Sequence, residues 1–186
     1  MSRNYKIRDN NKAYFVTFTV IHWIDLFIRD EFRKVFLESL KFCQQYKDLN
    51  IYAWCLMTSH AHLIVSSSNE NQPLMGIIRD TKSFVSRQIR KLLEDPIAVG
   101  ESRREWILHM MYNEGLQNGN NKDFQCWQQH NQPILLDNNF IINQKVEYIH
   151  NNPVEAGFVK KPEDWKYSSA IDFTLNGKGL LELSLM

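Results

Sequence analysis

The feature that most constrains the fold is a pair of β-prone runs separated by only two residues. Ile51–Met57 and His60–Ser66 are rich in apolar, aromatic and β-branched residues, and only Thr58 and Ser59 lie between them. Strands that follow each other so closely pair antiparallel, because a parallel pair needs a crossover of a dozen or more residues. The sequence therefore predicts a β-hairpin inside an antiparallel sheet.

The segments around this hairpin alternate between strand and helix patterns. Residues 13–21 are dominated by β-branched and aromatic side chains and are predicted to form a buried strand. Apolar residues at helical spacing predict helices over 30–46, over 74–92 after Pro73, over 102–116 and over 139–151. Weaker β patterns lie at 124–127 and 133–136. This order predicts an α+β fold, an antiparallel sheet with helices packed mainly on one face.

Composition limits the class of protein. The chain has 186 residues, 44% of them hydrophobic and 23% charged, which is typical of one globular domain. No apolar run is long enough to span a membrane, and the polar N-terminal residues contain no secretory signal pattern. The three cysteines form no CxxC pair. We expect a cytoplasmic protein with a single domain over residues 1–186, a tail from about residue 155, and no membrane association.

Two histidines stand out in the second strand of the hairpin. His60 and His62 are separated by one residue, so their side chains project from the same face of the sheet. Neutral imidazole is a common metal ligand, and two rings about 7 Å apart along a strand can converge on one divalent ion. The spacing alone leaves two alternatives open, a metal site and a hydrogen-bonded histidine pair near a strand edge.

A second pair of polar residues lies in the last predicted helix, which Pro153 is expected to end. Tyr148 and Asn152 are four residues apart and therefore share one helical face. An asparagine oxygen can bind magnesium or manganese, and an activated tyrosine hydroxyl can act as a nucleophile. Taken alone, Tyr148 also fits a partly buried packing residue.

Together, these motifs resemble the HUH single-tyrosine transposases, and the closest branch looks like the REP-associated tyrosine transposases, relatives of the IS200-like enzymes. The resemblance rests on His60-Ala61-His62 and on the run from Tyr148 to Val159. Flanking segments that contribute to it are Tyr14–Thr17, Trp54–Met57, Cys126–Gln128 and Trp165–Ala170. Ser59 and Glu155 depart from the family pattern, which more often has asparagine and a basic residue there, and neither is expected to touch a proposed ligand.

The resemblance implies both a fold and a reaction. It implies the HUH endonuclease fold, with a ferredoxin-like or RRM-like antiparallel sheet. His60, His62 and Asn152 would bind Mg²⁺ or Mn²⁺, and Tyr148 would be the nucleophile. The implied activity is cleavage and rejoining of single-stranded DNA next to a hairpin, through a 5′-phosphotyrosine intermediate.

The partner implied by the resemblance is a single-stranded DNA with a hairpin, and both a homodimer and a monomer are open. Net charge is only +1, but the region from Arg79 to Arg104 is more basic than acidic and predicts a local basic face or an ordinary solvated one. The candidate DNA contacts are Lys6, Arg8, Arg79, Lys82, Arg87 and Arg90. The alternative functions are a domesticated, non-cleaving protein that binds DNA or RNA hairpins, and a nuclease that uses water in place of Tyr148.

Overall fold

A computed structural model describes residues 7, 9–69, 72–119, 123–129, 133–174 and 177–185. Within these residues the strands are β1 (Tyr14–Thr19), β2 (Leu49–Leu56), β3 (His60–Ser67) and β4 (Ile134–Leu135). The α-helices are α1 (Asp30–Lys47), α2 (Leu74–Glu94), α3 (Arg104–Gln117) and α4 (Asn139–Glu155). Short 3-10 turns lie at Ile21–Trp23, Leu26–Ile28, Pro162–Asp164 and Ala170–Phe173.

The strands form an antiparallel sheet in the order β2, β3, β1, β4. The predicted hairpin closes through a hydrogen bond from the amide of Met57 to the carbonyl of His60, at 2.8 Å. On its other side β3 pairs with β1, which sets Thr17 opposite His62. The α+β fold predicted from the sequence is confirmed, and β3 lies inside the sheet with a neighbour on each side.

The two faces of the sheet are covered unequally. The main core lies between one face and helices α1, α2 and α3, and its sheet residues include Val16, Phe18, Leu63 and Val65. On the other face Phe15 and Ile64 pack with Ile149 of α4 in a smaller apolar cluster. Because side chains alternate along a strand, His60 and His62 lie on the same face as Ile64, the face that α4 covers.

The prediction that α4 ends before Pro153 is wrong. The helix continues through Pro153 to Glu155, and it begins after Asn138, whose side chain accepts a hydrogen bond from the amide of Ile141. A proline removes one amide donor, but the turn after Pro153 is closed by bonds from Ala156 to the carbonyl of Asn152 and from Phe158 to the carbonyl of Pro153, with Gly157 at a φ of 77°. Asn152 therefore keeps helical geometry.

The segment after α4 is bound more closely to the sheet than a surface tail would be. Ser168 and Ser169 are fully buried, and Ser169 bonds to both the backbone amide and the carbonyl of Trp54. The amide of Leu56 donates to the carbonyl of Tyr167, and Ser168 forms a bridge with Cys55. These bonds cover the outer edge of β2, which would otherwise expose unpaired backbone groups.

The predicted strand over 124–127 is also wrong, because only Trp127 forms a bridge there, with Val20 just after β1. The amide of Gln128 donates to the carbonyl of Thr19 at 2.8 Å, which fixes this segment at the end of β1. In the part of the chain that the structure describes, no helix is both long and apolar enough to cross a membrane.

Candidate active site

His60 and His62 come together as their spacing predicts. The centroids of the two rings are 4.8 Å apart, and the rings are steeply inclined to each other. His62 is only 5% exposed, whereas His60 is partly buried at the start of β3. His62 is therefore the more buried member of the pair, and we call the space between the two histidines and α4 the histidine pocket.

Each histidine ring is oriented by a hydrogen bond between its Nδ1 atom and a neighbouring side-chain hydroxyl. Thr17 Oγ1 lies 2.9 Å from Nδ1 of His62, and Ser59 Oγ lies 3.2 Å from Nδ1 of His60. When Nδ1 carries the proton and donates it to these hydroxyls, the lone pair is left on Nε2. The expectation that Ser59 touches no proposed ligand is wrong, because its hydroxyl contacts the ring of His60.

The two Nε2 atoms differ in what they contact. Among the described residues, Nε2 of His62 is a buried polar atom without a hydrogen-bond partner. Nε2 of His60 lies 3.3 Å from Oδ1 of Asn152. In the absence of an ion this contact is a hydrogen bond, and when Nε2 carries no proton the two atoms offer lone pairs to a common cation. The donor set therefore fits a hard divalent ion.

The electrostatics of the pocket keep both rings neutral. Burial lowers the pKa of His60, and burial together with the nearby His60 and Lys145 lowers the pKa of His62 to about 3. At neutral pH both imidazoles are therefore uncharged, which is the form that binds metal. Within the described residues, no group of three His, Cys, Asp or Glu side chains could hold an ion. The amide oxygen of Asn152, which lies 3.3 Å from Nε2 of His60, is a candidate third ligand of another residue type.

Tyr148 lies on the open side of this pocket. Its ring centroid is 5.2 Å from that of His62 and 5.9 Å from that of Phe15, and the residue is 41% exposed. Tyr148 is thus partly buried against Phe15 and His62, as the packing alternative expects, and the rest of the residue is open to solvent. One turn further along α4, Asn152 reaches His60, so the helix brings its two candidate residues to the two histidines.

Lys145 is a site residue that the sequence analysis missed. Its ammonium group lies 5.3 Å from the ring centroid of Tyr148 and 4.7 Å from that of Phe15. The spacing of three residues before Tyr148 places both on one helical face, and this was the signal that could have identified it. A cation at this position raises the positive potential where an anionic substrate would approach.

His150, which the helical spacing directs away from Asn152, serves the packing of α4. The residue is buried, its Nε2 lies 2.9 Å from Oγ of Ser169, and its ring meets that of Phe173 edge-on. Burial lowers the pKa of His150 to about 4. It therefore attaches α4 to the segment that covers β2.

The candidate DNA contacts on α2 line one groove. Arg79, Lys82, Arg87 and Arg90 face the 123–129 segment across it. The groove lies on the α2 side of the sheet, since the Lys82 ammonium group is 5.6 Å from the ring of Phe18, a residue of the main core. It is therefore separate from the histidine pocket, although both lie near the end of β1. Lys6 and Arg8, the other candidates, lie outside the described residues.

The four basic residues of the groove differ in how far their charge is already compensated. Arg90 binds both Glu94 and Asp123 at 2.8 Å. Lys82 is largely enclosed, donates to the carbonyl of Gln128, and has its pKa lowered to about 8 by burial. Arg90 and Lys82 therefore connect α2 to the 123–129 segment across the groove.

Arg79 and Arg87 are more available to a ligand. The side chain of Arg79 is 78% exposed, and its ion pair with Asp80 is long, at 3.4 Å. Arg87 bonds to the neutral hydroxyl of Ser83, and among the described residues no carboxylate lies within ion-pair distance of it.

Comparison with known proteins agrees with this architecture. Residues 13–103, just under half of the chain, match the family model described as transposase, IS200-like. Over these residues the chain is similar to the IS200-like transposases. The resemblance predicted from its motifs is therefore confirmed, and the family it points to is one of DNA-processing enzymes.

A solved structure of a REP-associated tyrosine transposase bound to a REP hairpin shares the fold. The TM-score is 0.60 at 17% sequence identity, and the alignment covers 91% of this chain and 83% of the other. At that identity the likeness establishes the fold alone. No curated protein sequence matches the chain.

Proposed function

We propose that this IS200-like chain cleaves and rejoins single-stranded DNA next to a hairpin, with Tyr148 as the nucleophile and Mg²⁺ or Mn²⁺ as the cofactor. One observation carries the proposal: α4 places the ring of Tyr148 5.2 Å from His62 and, one turn later, places Asn152 Oδ1 3.3 Å from His60. Two motifs almost ninety residues apart therefore meet in one pocket.

His60, His62 and Asn152 would hold the ion, which when bound supplies Lewis-acid neutralisation of charge at the scissile phosphate. Thr17 and Ser59 orient the two imidazoles so that their Nε2 atoms face the pocket. Lys145 adds a positive charge on the side where Tyr148 is exposed, which favours a bound phosphate near the nucleophile.

The covalent step balances without any further reactant. Oη of Tyr148 forms a bond to phosphorus and gives up its proton to solvent, while the bond from phosphorus to the 3′ oxygen breaks and that oxygen takes up a proton. The products are a 5′-phosphotyrosine link and a free 3′ hydroxyl. Because the tyrosine ester retains the energy of the broken ester, attack by another 3′ hydroxyl rejoins the strand without ATP.

We assign the phosphate contacts outside the pocket first to Arg79 and Arg87. Both line the groove on α2, and their charges are less compensated than that of Arg90. Phosphate contacts dominate the affinity for nucleic acid and are sequence-independent. Gln128, which lines the groove, bonds to Thr19 at the end of β1, and Thr19 pairs with His60. In this proposal a hairpin in the groove would extend its single-stranded flank around this end of β1 toward Tyr148.

The test is formation of a covalent adduct. The protein is incubated with Mn²⁺ and an end-labelled DNA hairpin with single-stranded arms, and the product is separated under denaturing conditions. We expect a labelled protein band that Tyr148→Phe abolishes and that Tyr46→Phe, at an exposed tyrosine on α1, leaves unchanged. An adduct of normal yield in Tyr148→Phe would refute the role of this residue.

A non-cleaving hairpin-binding protein is the second candidate, because the basic groove lies apart from the histidine pocket. Binding in such a groove needs none of the pocket residues. Hairpin binding by the wild-type protein with no nicking in either Mg²⁺ or Mn²⁺ would favour this function. Nicking without an adduct would instead point to water as the nucleophile.

A further inference from the structure

Trp23 is a large aromatic side chain left open to solvent beside the histidine pocket. It is 59% exposed, and its ring centroid lies 5.3 Å from that of His60, with the planes inclined at 74°. The pocket thus presents a row of rings in the order Trp23, His60, His62, Tyr148, with successive centroids 5.3, 4.8 and 5.2 Å apart. Trp23 thus contacts the histidine pair at His60, and Tyr148 contacts it at His62.

The backbone that holds Trp23 in this position is conformationally strained. His22 and Trp23 have φ angles of 51° and 56°, in the left-handed region that bulky residues rarely adopt. Such residues persist only where their surroundings fix them. Here Ile21 and Ile24 on either side are buried, and the amide of Trp23 donates to the carbonyl of Val20.

The strain is not compensated by burial of the Trp23 ring itself. An exposed tryptophan forgoes most of the stabilisation that its apolar surface would give in a core. Strained residues of this kind cluster at binding and active sites, where they orient a side chain. The position of Trp23 is therefore better explained by what the ring contacts outside the chain.

We propose that Trp23 is a stacking platform for a base of the single-stranded substrate that flanks the scissile phosphate. The inference rests on the proposed function, since it places the phosphate at Tyr148 and the histidines. A strand that crosses the row of rings then brings a neighbouring base to Trp23. Stacking on an indole tolerates any base, so the platform positions the strand without reading its sequence.

The experiment compares two strands that carry the same phosphates. Oligothymidylate and a strand of equal length built wholly from abasic sites are labelled with fluorescein, and binding is measured by anisotropy in EDTA. The Tyr148→Phe background excludes cleavage. We expect Trp23→Ala to weaken binding of oligothymidylate about tenfold, the effect of losing one base stack, and to leave the abasic strand unaffected.

Two further variants complete the test. Trp23→Phe keeps a ring and should recover most of the affinity for oligothymidylate. Trp106→Ala removes a tryptophan of similar exposure on α3 and should change neither strand. Equal weakening of both strands by Trp23→Ala, an unchanged affinity for oligothymidylate, or a Tyr148→Phe parent that binds neither strand would each overturn the proposal.

The assay is independent of the adduct experiment. A chain that forms no adduct but binds bases through Trp23 would contradict the proposed function and retain the stacking site. A chain that forms the adduct but shows no base-dependent binding would support the proposed function and contradict the stacking site.

Discussion

Replacing Thr17 with valine tests whether the chain holds His62 as a metal ligand. The hydroxyl of Thr17 lies 2.9 Å from Nδ1 of His62, and it is this contact that directs Nε2 into the pocket. Valine keeps the β-branched shape that suits a strand and removes the hydroxyl. The change therefore disturbs the orientation of the imidazole more than it disturbs the packing of β1.

The size of the effect follows from burial. His62 is 5% exposed, so the loss of its partner leaves a buried polar nitrogen unsatisfied, which costs about 1–3 kcal/mol of stability. Loss of an outer hydrogen bond to a metal-binding histidine typically lowers metal affinity roughly 10- to 100-fold. In free energy of binding this is about 1.4–2.8 kcal/mol.

Urea denaturation with and without Mn²⁺ separates the two effects. Mn²⁺ stabilises the folded wild-type chain according to its free concentration and affinity, so Thr17→Val should show a smaller gain on addition of the ion. Ser66→Ala is the matched control, because Ser66 is also buried in the sheet and lies 2.8 Å from the hydroxyl of Tyr52, away from the proposed ligands. It should lose stability and keep the full gain from Mn²⁺.

The reasoning would be refuted by a Thr17→Val protein that gains as much stability from Mn²⁺ as the wild type does. That result would mean that His62 does not bind the ion, or that Thr17 does not orient it. A wild-type chain that Mn²⁺ does not stabilise at all would contradict the metal site itself.

Three further predictions concern pH, backbone strain and DNA affinity. Burial lowers the pKa of His150 to about 4 from 6.5, so between these pH values the unfolded chain binds more protons than the folded one. The free energy of unfolding should therefore fall as the pH drops from about 6.5 to 4. His150→Gln should reduce this loss by on the order of 3 kcal/mol, measured by urea titration at each pH. Trp23→Gly should be more stable than Trp23→Ala by about 1 kcal/mol in the same assay, because glycine adopts a positive φ without strain; equal stabilities would mean that the turn is not strained. Arg87→Gln should lower the slope of log affinity for a DNA hairpin against log salt by about one. Arg90→Gln, at a residue already paired with Glu94 and Asp123, should change that slope less; the reverse order would contradict the assignment.

The elements that the sequence predicts well are those fixed by local patterns. The hairpin depends only on two β-prone runs and the short turn at Thr58 and Ser59, so its pairing is determined within a few residues. The alternation of side chains along β3 likewise places His60 and His62 on one face without any knowledge of the rest of the sheet. The prediction that the histidines share one site with Tyr148 needed the family resemblance, because no local sequence pattern connects residues so far apart.

Local rules failed where distant contacts change the outcome. Pro153 is a helix breaker by local criteria, yet the helix passes through it; Pro153 is buried, and bonds from Ala156 and Phe158 to the carbonyls of Asn152 and Pro153 close the turn that follows. The left-handed backbone at Trp23 has no signal in its own residues. It depends on Ile21 and Ile24, which are held in the core, and that burial is a property of the complete fold.

The face that α4 turns toward the sheet explains why residues of one helix contact both histidines. Ile149 is buried against Phe15 and Ile64, and this contact sets which face of the helix meets the sheet. Lys145, Tyr148 and Asn152 follow one another at intervals of three and four residues, so they form a stripe next to the buried one. Apolar packing thus fixes the register in which the nucleophile and the third ligand reach β3, and the continuation of the helix past Pro153 keeps Asn152 in that stripe.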